Sequence, residues 1–210
     1  MDKLKYRDVS LARPWRHVIN SGAGSTQEKM MRLEADPKII TKLAAQCENA
    51  NLQFRSFLKS IDLEIEELDA IVHRHYKVVA SQINCCDCGN CCRDVIPILQ
   101  VHDVDRLAVG LSLSREEVTA RFLVTDEDGD VVFHDRPCPL LSDNRCTVYD
   151  YRPDDCRSYP HLRKDEFVFR LFQAVENCSV CPIVFNVFER LKEELWYERD
   201  DVWDRDQFSL

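Results

Sequence analysis

Apolar positions recur at helical spacing along two stretches in the first part of the chain. Asp36-Pro37 reads as an N-cap followed by proline at the first helical position. Ile39, Ile40, Leu43, Ala44 and Cys47 follow three or four apart, with Leu52 and Phe54 to Leu58 beyond them. Ile61, Ile65, Leu68, Val72, Tyr76 and Val79 predict a second helix over about 62–83, with Glu64, Glu66, Glu67 and Asp69 in its solvated early turns. Cys47 lies on the first apolar stripe and reads as a small core hydrophobe. His73 and His75, two apart on the second helix, point to different faces and make a poor metal pair.

After residue 84 the pattern breaks into short pieces. Val95 to Leu99 reads as an extended segment, and 103–109 as a helix stopped by Gly110. Ser114-Arg115-Glu116-Glu117 is a capping box opening a helix to about Leu123. The acidic stretch Thr125 to Asp130, between Phe122-Leu123-Val124 and Val131-Val132-Phe133, predicts a hairpin with an Asp-Gly turn and does not fit a calcium loop. A polar turn between Cys138 and Cys146 predicts a second, tight hairpin, and Pro153 suits the start of a short helix. Phe167 to Phe172 reads as a core strand. Val184, Phe185, Val187, Phe188 and Leu191 mark a last helix entered from Cys181-Pro182.

These elements predict an α+β fold, mainly α, with N-terminal helices packed on a cysteine-rich, metal-centred region carrying short hairpins. The expected organisation is a loosely ordered arm over 1–24, which Trp15 could anchor, and a helical region over 25–83. A cysteine-cluster metal-binding domain follows over 84–192, and an acidic, aromatic tail over 193–210.

Composition narrows the functional classes. With 210 residues, 45% of them apolar, the chain can bury a core without disulfides. A net charge of −9 argues against nucleic acid as a partner, since phosphate binding wants clustered Lys and Arg. No run of about 18 apolar residues predicts a membrane span, and Met1 to Arg7 is not followed by the apolar stretch of a secretory signal. The expected location is therefore cytoplasmic. In that reducing setting patterned cysteines are metal ligands or redox groups rather than bridges.

The chemistry concentrates in Cys85-Cys86-Asp87-Cys88-Gly89-Asn90-Cys91-Cys92, which holds five of the eleven cysteines in a C-x-x-C-x-x-C-C pattern. Thiolates this dense repel one another unless a cation or oxidation neutralises them. Gly89 permits the tight turn that points thiolates three apart at one centre. Cys138, Cys146, Cys156, Cys178 and Cys181 follow. Seven to nine thiolates exceed the four of one tetrahedral zinc. They suit either two zinc ions or one iron–sulfur cluster with the remaining cysteines structural. Ferredoxin-type runs also use C-x-x-C-x-x-C with a proline after a later cysteine, which Cys138-Pro139 and Cys181-Pro182 echo. His134 and His161 flank the motifs and read as packing or hydrogen-bonding groups. Arg152 and Arg157 would offset thiolate charge around the metal, leaving Tyr149 as packing.

The run Cys85, Cys88, Gly89, Cys91, Cys92, followed by Cys138-Pro139-Leu140, Cys146, Tyr149, Arg152-Pro153, Cys156-Arg157 and Tyr159-Pro160, resembles the YkgJ-type cysteine-cluster family of zinc- or iron-chelating proteins. The likeness covers about residues 80–181. It implies that Cys85, Cys88, Cys91, Cys92, Cys138, Cys146 and Cys156 are metal ligands. Asp103 to Leu111 resembles the family's helix following the cluster. Cys178 and Cys181 are further candidate ligands by spacing, and Cys86 is an extra cysteine within the motif. The family also includes larger flagellin lysine N-methylases that use S-adenosylmethionine, although no G-x-G-x-x-G follows a strand in this chain. The expectations are thus a protein holding zinc, iron or an iron–sulfur cluster, a metal-dependent enzyme acting on a protein or peptide partner, or a thiol redox sensor using the vicinal pairs.

Overall fold

The computed structural model of the chain describes residues 33–197. The expected arm with Trp15, and the tail beyond 197 with Trp203, lie outside the described residues. The fold is α+β and mainly α: helices dominate and the only sheets among the described residues are two antiparallel strand pairs.

Helix α1 (Pro37–Gln46) begins where the sequence places it. Asp36 caps it, its carboxylate accepting from Lys38 N at 2.8 Å, and Pro37 needs no partner for the N–H it lacks. The chain breaks at Cys47 and resumes as α2 (Glu48–Leu58). The buried stripe is narrower than the apolar pattern suggests: Ile40, Leu43, Ala44, Cys47, Asn51, Phe54 and Leu58 face inward, whereas Ile39 and Leu52 are exposed. Helix α3 (Ile65–Ala80) is shorter than the expected 62–83 because Glu64 and Glu67 form a reciprocal capping box that fixes its start.

Two one-turn helices follow, α4 (Cys85–Cys88) and α5 (Cys91–Asp94). Helix α6 (Val101–Leu111) runs through Gly110 rather than stopping there, and Ser112, at φ 55°, makes the left-handed cap. Gly110 is required for another reason. A Cβ there would lie 2.6 Å from the Tyr151 ring, so the glycine admits the 3₁₀ turn Tyr149–Tyr151 against α6. Helix α7 (Arg115–Phe122) carries the predicted capping box: Ser114 Oγ accepts from Glu117 N at 3.1 Å, and Glu117 accepts from Ser114 N at 2.8 Å.

Strands β1 (Leu123–Thr125) and β2 (Val131–Phe133) pair in the register Leu123↔Phe133, and Ile98 bridges to Val132. Strands β3 (Leu141–Ser142) and β4 (Arg145–Cys146) form the second hairpin. Its turn residues Asp143 and Asn144 both have positive φ, as a two-residue hairpin loop demands. Helix α8 (Asp154–Ser158) follows Pro153.

The strand expected over Phe167–Phe172 is instead a 3₁₀ turn, Phe167–Arg170, leading into helix α9 (Leu171–Asn177). The deciding contact is remote in sequence. The buried carboxylate of Asp69 on α3 accepts from Phe167 N at 2.8 Å and from Glu166 N, satisfying the turn's leading N–H groups. Helix α10 (Pro182–Lys192) then runs through the centre of the molecule, and a turn at Glu193–Tyr197 places Trp196 stacked on Phe54 with centroids 5.6 Å apart.

Two apolar cores result. The larger joins α1–α3 to α9, α10 and Trp196, around Phe54, Val72, Phe188 and Leu191. A buried pair, Lys192 and Glu189, 2.5 Å apart, crosses it, with Lys192 Nζ also donating to Asn51 Oδ1 at 2.9 Å. The smaller core lies beneath α6, α7 and the hairpins, around Leu107, Val118, Phe133 and Leu140, with Cys138 and Cys146 packed against it. No single helix among the described residues is long and apolar enough to cross a membrane.

Candidate metal centre

The cysteine run sits between the two cores, and its neighbours hold it in shape. Asn84 caps α4, its side-chain oxygen accepting from Cys86 N at 3.1 Å. Gly89 reverses the chain at φ 59°, its N–H donating to Cys85 O at 3.2 Å. A Cβ at Gly89 would lie 2.8 Å from Asn144 O, so only glycine meets both the backbone angle and the approach of the second hairpin. Asn90 Nδ2 donates to Val180 O at 2.8 Å, tying this run to the turn that carries Cys178 and Cys181. Arg93 donates to Cys88 O at 3.3 Å and also to Asn144 Oδ1. At the far end, Cys138 N donates to Cys92 O at 2.8 Å.

Cys146 is presented by β4 opposite Leu141, and Thr147 N closes the hairpin on Leu140 O at 2.9 Å. Cys156 lies on α8, whose first N–H, at Asp154, donates to Asp103 Oδ1 at 2.9 Å. Asp103 is fully buried and also accepts from Gln100 N and Arg106. Arg106 and His102 reach Asp154 at 2.7 Å each, so α6 and α8 are bolted together. His102, Asp103 and Asp154 have ligand atoms close enough for a metal ion, but the Arg106 guanidinium already supplies the cation between the two carboxylates.

Seven thiols line one cleft of about 130 Å³: Cys85, Cys86, Cys91, Cys92, Cys138, Cys146 and Cys156. Cys88 and Cys181 are off its lining, although Cys181 is near enough to feel the charges of Cys85 and Cys88, and Cys88 that of Cys92. Cys178 is elsewhere. It is wholly buried in the larger core, in the company of Lys192, Glu189, Cys181 and Cys47, and burial pushes its thiol up. Cys47 is a core residue, as its place on the apolar stripe predicts, and burial pushes it up to about 11. His134 bonds to Arg121 O at 2.6 Å, and His161 to Ser158 at 3.0 Å; neither lines the cleft.

The donor set has the chemistry of a soft-metal site. Burial is the main force holding the thiols protonated, pushing Cys138 up to about 11 and Cys181 up to about 12. Cys91 is raised first by its hydrogen bond to Cys92 and then by burial, and Cys92 is lowered by accepting that bond. Four thiols are prepared for the opposite state. Nearby backbone N–H groups favour their charged forms against burial: Asn90 for Cys88, Leu140 for Cys138, Val148 for Cys146, and Val184 with Ile183 for Cys181. Such donors stabilise thiolate over thiol.

Arg152 lies near Cys85, Cys92 and Cys146, and Arg93 near Cys88 and Cys92, so both offset thiolate charge. Arg157 is occupied differently, donating to Arg152 O at 3.0 Å and to Asp150 O, and it shapes the loop ahead of α8. Tyr149 stacks under Arg152, 3.7 Å from guanidinium carbon to ring centroid, and its hydroxyl donates to Cys86. Asn90 and Arg93 carry this geometry and stand out by no motif of their own; their position inside the cysteine run is the sole signal.

Residues 84–182 match the CxxCxxCC family, described as a putative zinc- or iron-chelating domain. No curated protein and no solved structure gives a significant match to the chain.

Proposed function

We propose that the thiolates of residues 84–182, which match the zinc- or iron-chelating CxxCxxCC family, hold iron as an iron–sulfur cluster. The spread of the sulfurs carries this reading. With Zn–S near 2.3 Å, tetrahedral zinc draws its four sulfurs to about 3.8 Å from one another. Among the described residues no three cysteine sulfurs lie within 4.8 Å of one another, and the seven cleft thiols instead surround an apolar-walled space. A cluster holds its thiolates on separate irons with sulfide between them, so its ligands stand apart around such a space.

Such a cluster would supply one-electron redox chemistry when bound. The chain's own groups do the rest. Arg93 and Arg152 balance the anionic charge, N–H groups at Asn90, Leu140, Val148 and Ile183 hold thiolate lone pairs, and Val95, Pro97, Phe133 and Val148 wall the cleft with apolar surface.

The test is anaerobic purification of the full chain, with absorption, iron and acid-labile sulfide measured on one sample. A brown protein containing iron and sulfide is expected. A colourless protein filled with zinc would overturn the cluster reading.

A further inference from the structure

The thiol cleft meets solvent at one place. Of the residues that line it, only Cys85, Asn144 and Tyr149 are exposed among the described residues, so its mouth lies between them. Cys85 is also the one exposed cysteine of the eleven; the others are buried or half-buried. We propose that metal enters and leaves the cleft by this mouth, that it meets Cys85 first, and that the Tyr149 ring is the gate that sets the rate of passage. The gate rests on the metal-holding reading above but not on which metal is held.

The sides of the mouth are held with different firmness. Asn144 is fixed: its side chain accepts from Arg93, and its carbonyl oxygen lies where a Cβ at Gly89 would be only 2.8 Å away. Cys85 opens α4, and Gly89 N closes that turn on the Cys85 carbonyl at 3.2 Å. The backbone beneath Tyr149 is fixed as well. Tyr151 N donates to Val148 O at 2.8 Å, the Tyr151 ring fills the space that Gly110 leaves on α6, and Arg157 donates to Asp150 O. What can swing is the Tyr149 side chain.

Two contacts hold that side chain in place. Its ring stacks under the Arg152 guanidinium, 3.7 Å from guanidinium carbon to ring centroid, and Arg152 Nη1 donates to the Tyr149 carbonyl at 2.6 Å, which keeps the cation on the same turn. Its hydroxyl donates to Cys86 on α4. The ring thus spans from the 3₁₀ turn to the cysteine run, with both of its contacts among the residues that line the cleft. Cys86, the extra cysteine of the run, thereby has a task that needs no metal: it is the catch on which the gate closes. One hydrogen bond of this kind opens readily, yet its loss changes a rate by about five-fold.

A gate has a signature that a packing residue lacks. It acts on the path and on neither end state, so loosening it speeds entry and exit by the same factor and leaves affinity where it was. The experiment mixes reduced, metal-free full chain with Co(II) under argon and follows thiolate-to-cobalt absorption in time. A chelator challenge of the loaded chain gives the release rate. Tyr149→Phe keeps the ring and loses the hydroxyl, so it should load and release about five-fold faster. Cys86→Ala should do the same, and the double variant no more than either, because one and the same bond is lost.

A release rate that rises alone, with affinity falling to match, would make Tyr149 a stability residue and overturn the gate. So would rates equal to wild type, or a Cys86→Ala chain that binds less cobalt, since the catch would then be a ligand. A second measurement needs no variant: a maleimide on a polymer too bulky to enter the cleft should modify Cys85 first in metal-free wild type. Another thiol modified first overturns the mouth. A wild-type chain that takes up no cobalt would end the metal-holding reading and the gate with it, whereas unchanged rates in a chain that does load end the gate alone.

Discussion

The two cores hold their surroundings together by different means. The larger is closed by dense side-chain packing crossed by the buried Lys192–Glu189 pair: Phe54 lies edge-on to Phe188 and is stacked by Trp196, with Leu58, Val72 and Leu191 fully or nearly fully buried around them. The smaller has fewer large side chains and leans on Cys138 and Cys146, which pack against it while facing the cleft. Its helices and hairpins are two to eleven residues long, too short to persist without tertiary support. A core of that size is therefore expected to draw stability from a metal held by the thiolates, and the larger one much less.

Metal removal is the largest test of that contrast. Chelation under reducing conditions should abolish amide-exchange protection across α6, α7 and both hairpins while α3 and α10 stay protected. Uniform retention of protection in both regions would show that the metal is an addition to a fold already closed. Uniform loss would show that the larger core also depends on it.

Phe54→Ala asks the converse. Removing a fully buried ring should cost about 3–5 kcal/mol of stability and lower the main thermal transition, with bound metal per chain unchanged in the fraction that stays folded. A parallel fall in metal content would mean that the cores fold as one unit.

How much of this the sequence discloses follows the same division. Helices α1, α3, α7 and α10 were readable because each carries an apolar period and a local start signal, such as Asp36-Pro37 or Ser114 with Glu117. The ligand candidates were readable because thiol density is a local property. Residues 167–172 misled because their apolar, aromatic composition suits a strand, and the carboxylate that makes them a turn comes from Asp69, almost a hundred positions earlier. Gly110 misled similarly, since its partner is the ring of Tyr151 rather than the end of its own helix. Spacing also could not separate Cys178 from Cys181. They are three apart on one turn and both are buried in the larger core, yet only Cys181, beside the Val180 carbonyl that Asn90 clamps, comes near Cys85 and Cys88 of the cysteine run.

Alkaline pH should separate the metal-free from the loaded protein. Folding raises Cys138 to about 11 and Cys181 to about 12, from an ordinary thiol value near 9, so the folded chain favours the protonated thiols. In metal-free protein that contribution is complete below pH 9 and is lost as pH rises through 11 to 12. Loaded protein should behave oppositely, keeping metal in base and releasing it in acid, because protons compete for thiolate. Denaturation midpoints measured against pH with and without metal check both signs. A metal-free protein that gained stability between pH 9 and 11 would contradict the burial of these thiols.

The smallest change gives the sharpest reading of the coupling between core and metal. Ser114→Ala removes the N-cap of α7, at about 1 kcal/mol, on a helix of the smaller core and outside the lining of the thiol cleft. If metal binding and the folding of this region are one equilibrium, that loss appears as metal affinity weaker by about five-fold. Glu67→Ala breaks the capping box of α3 against the larger core and supplies the control. It should lower the thermal midpoint slightly and leave the competition titration against a chelator where it was. Equal shifts in affinity from both variants would mean that the metal senses the whole chain. No shift from Ser114→Ala would mean that the smaller core closes before the metal arrives.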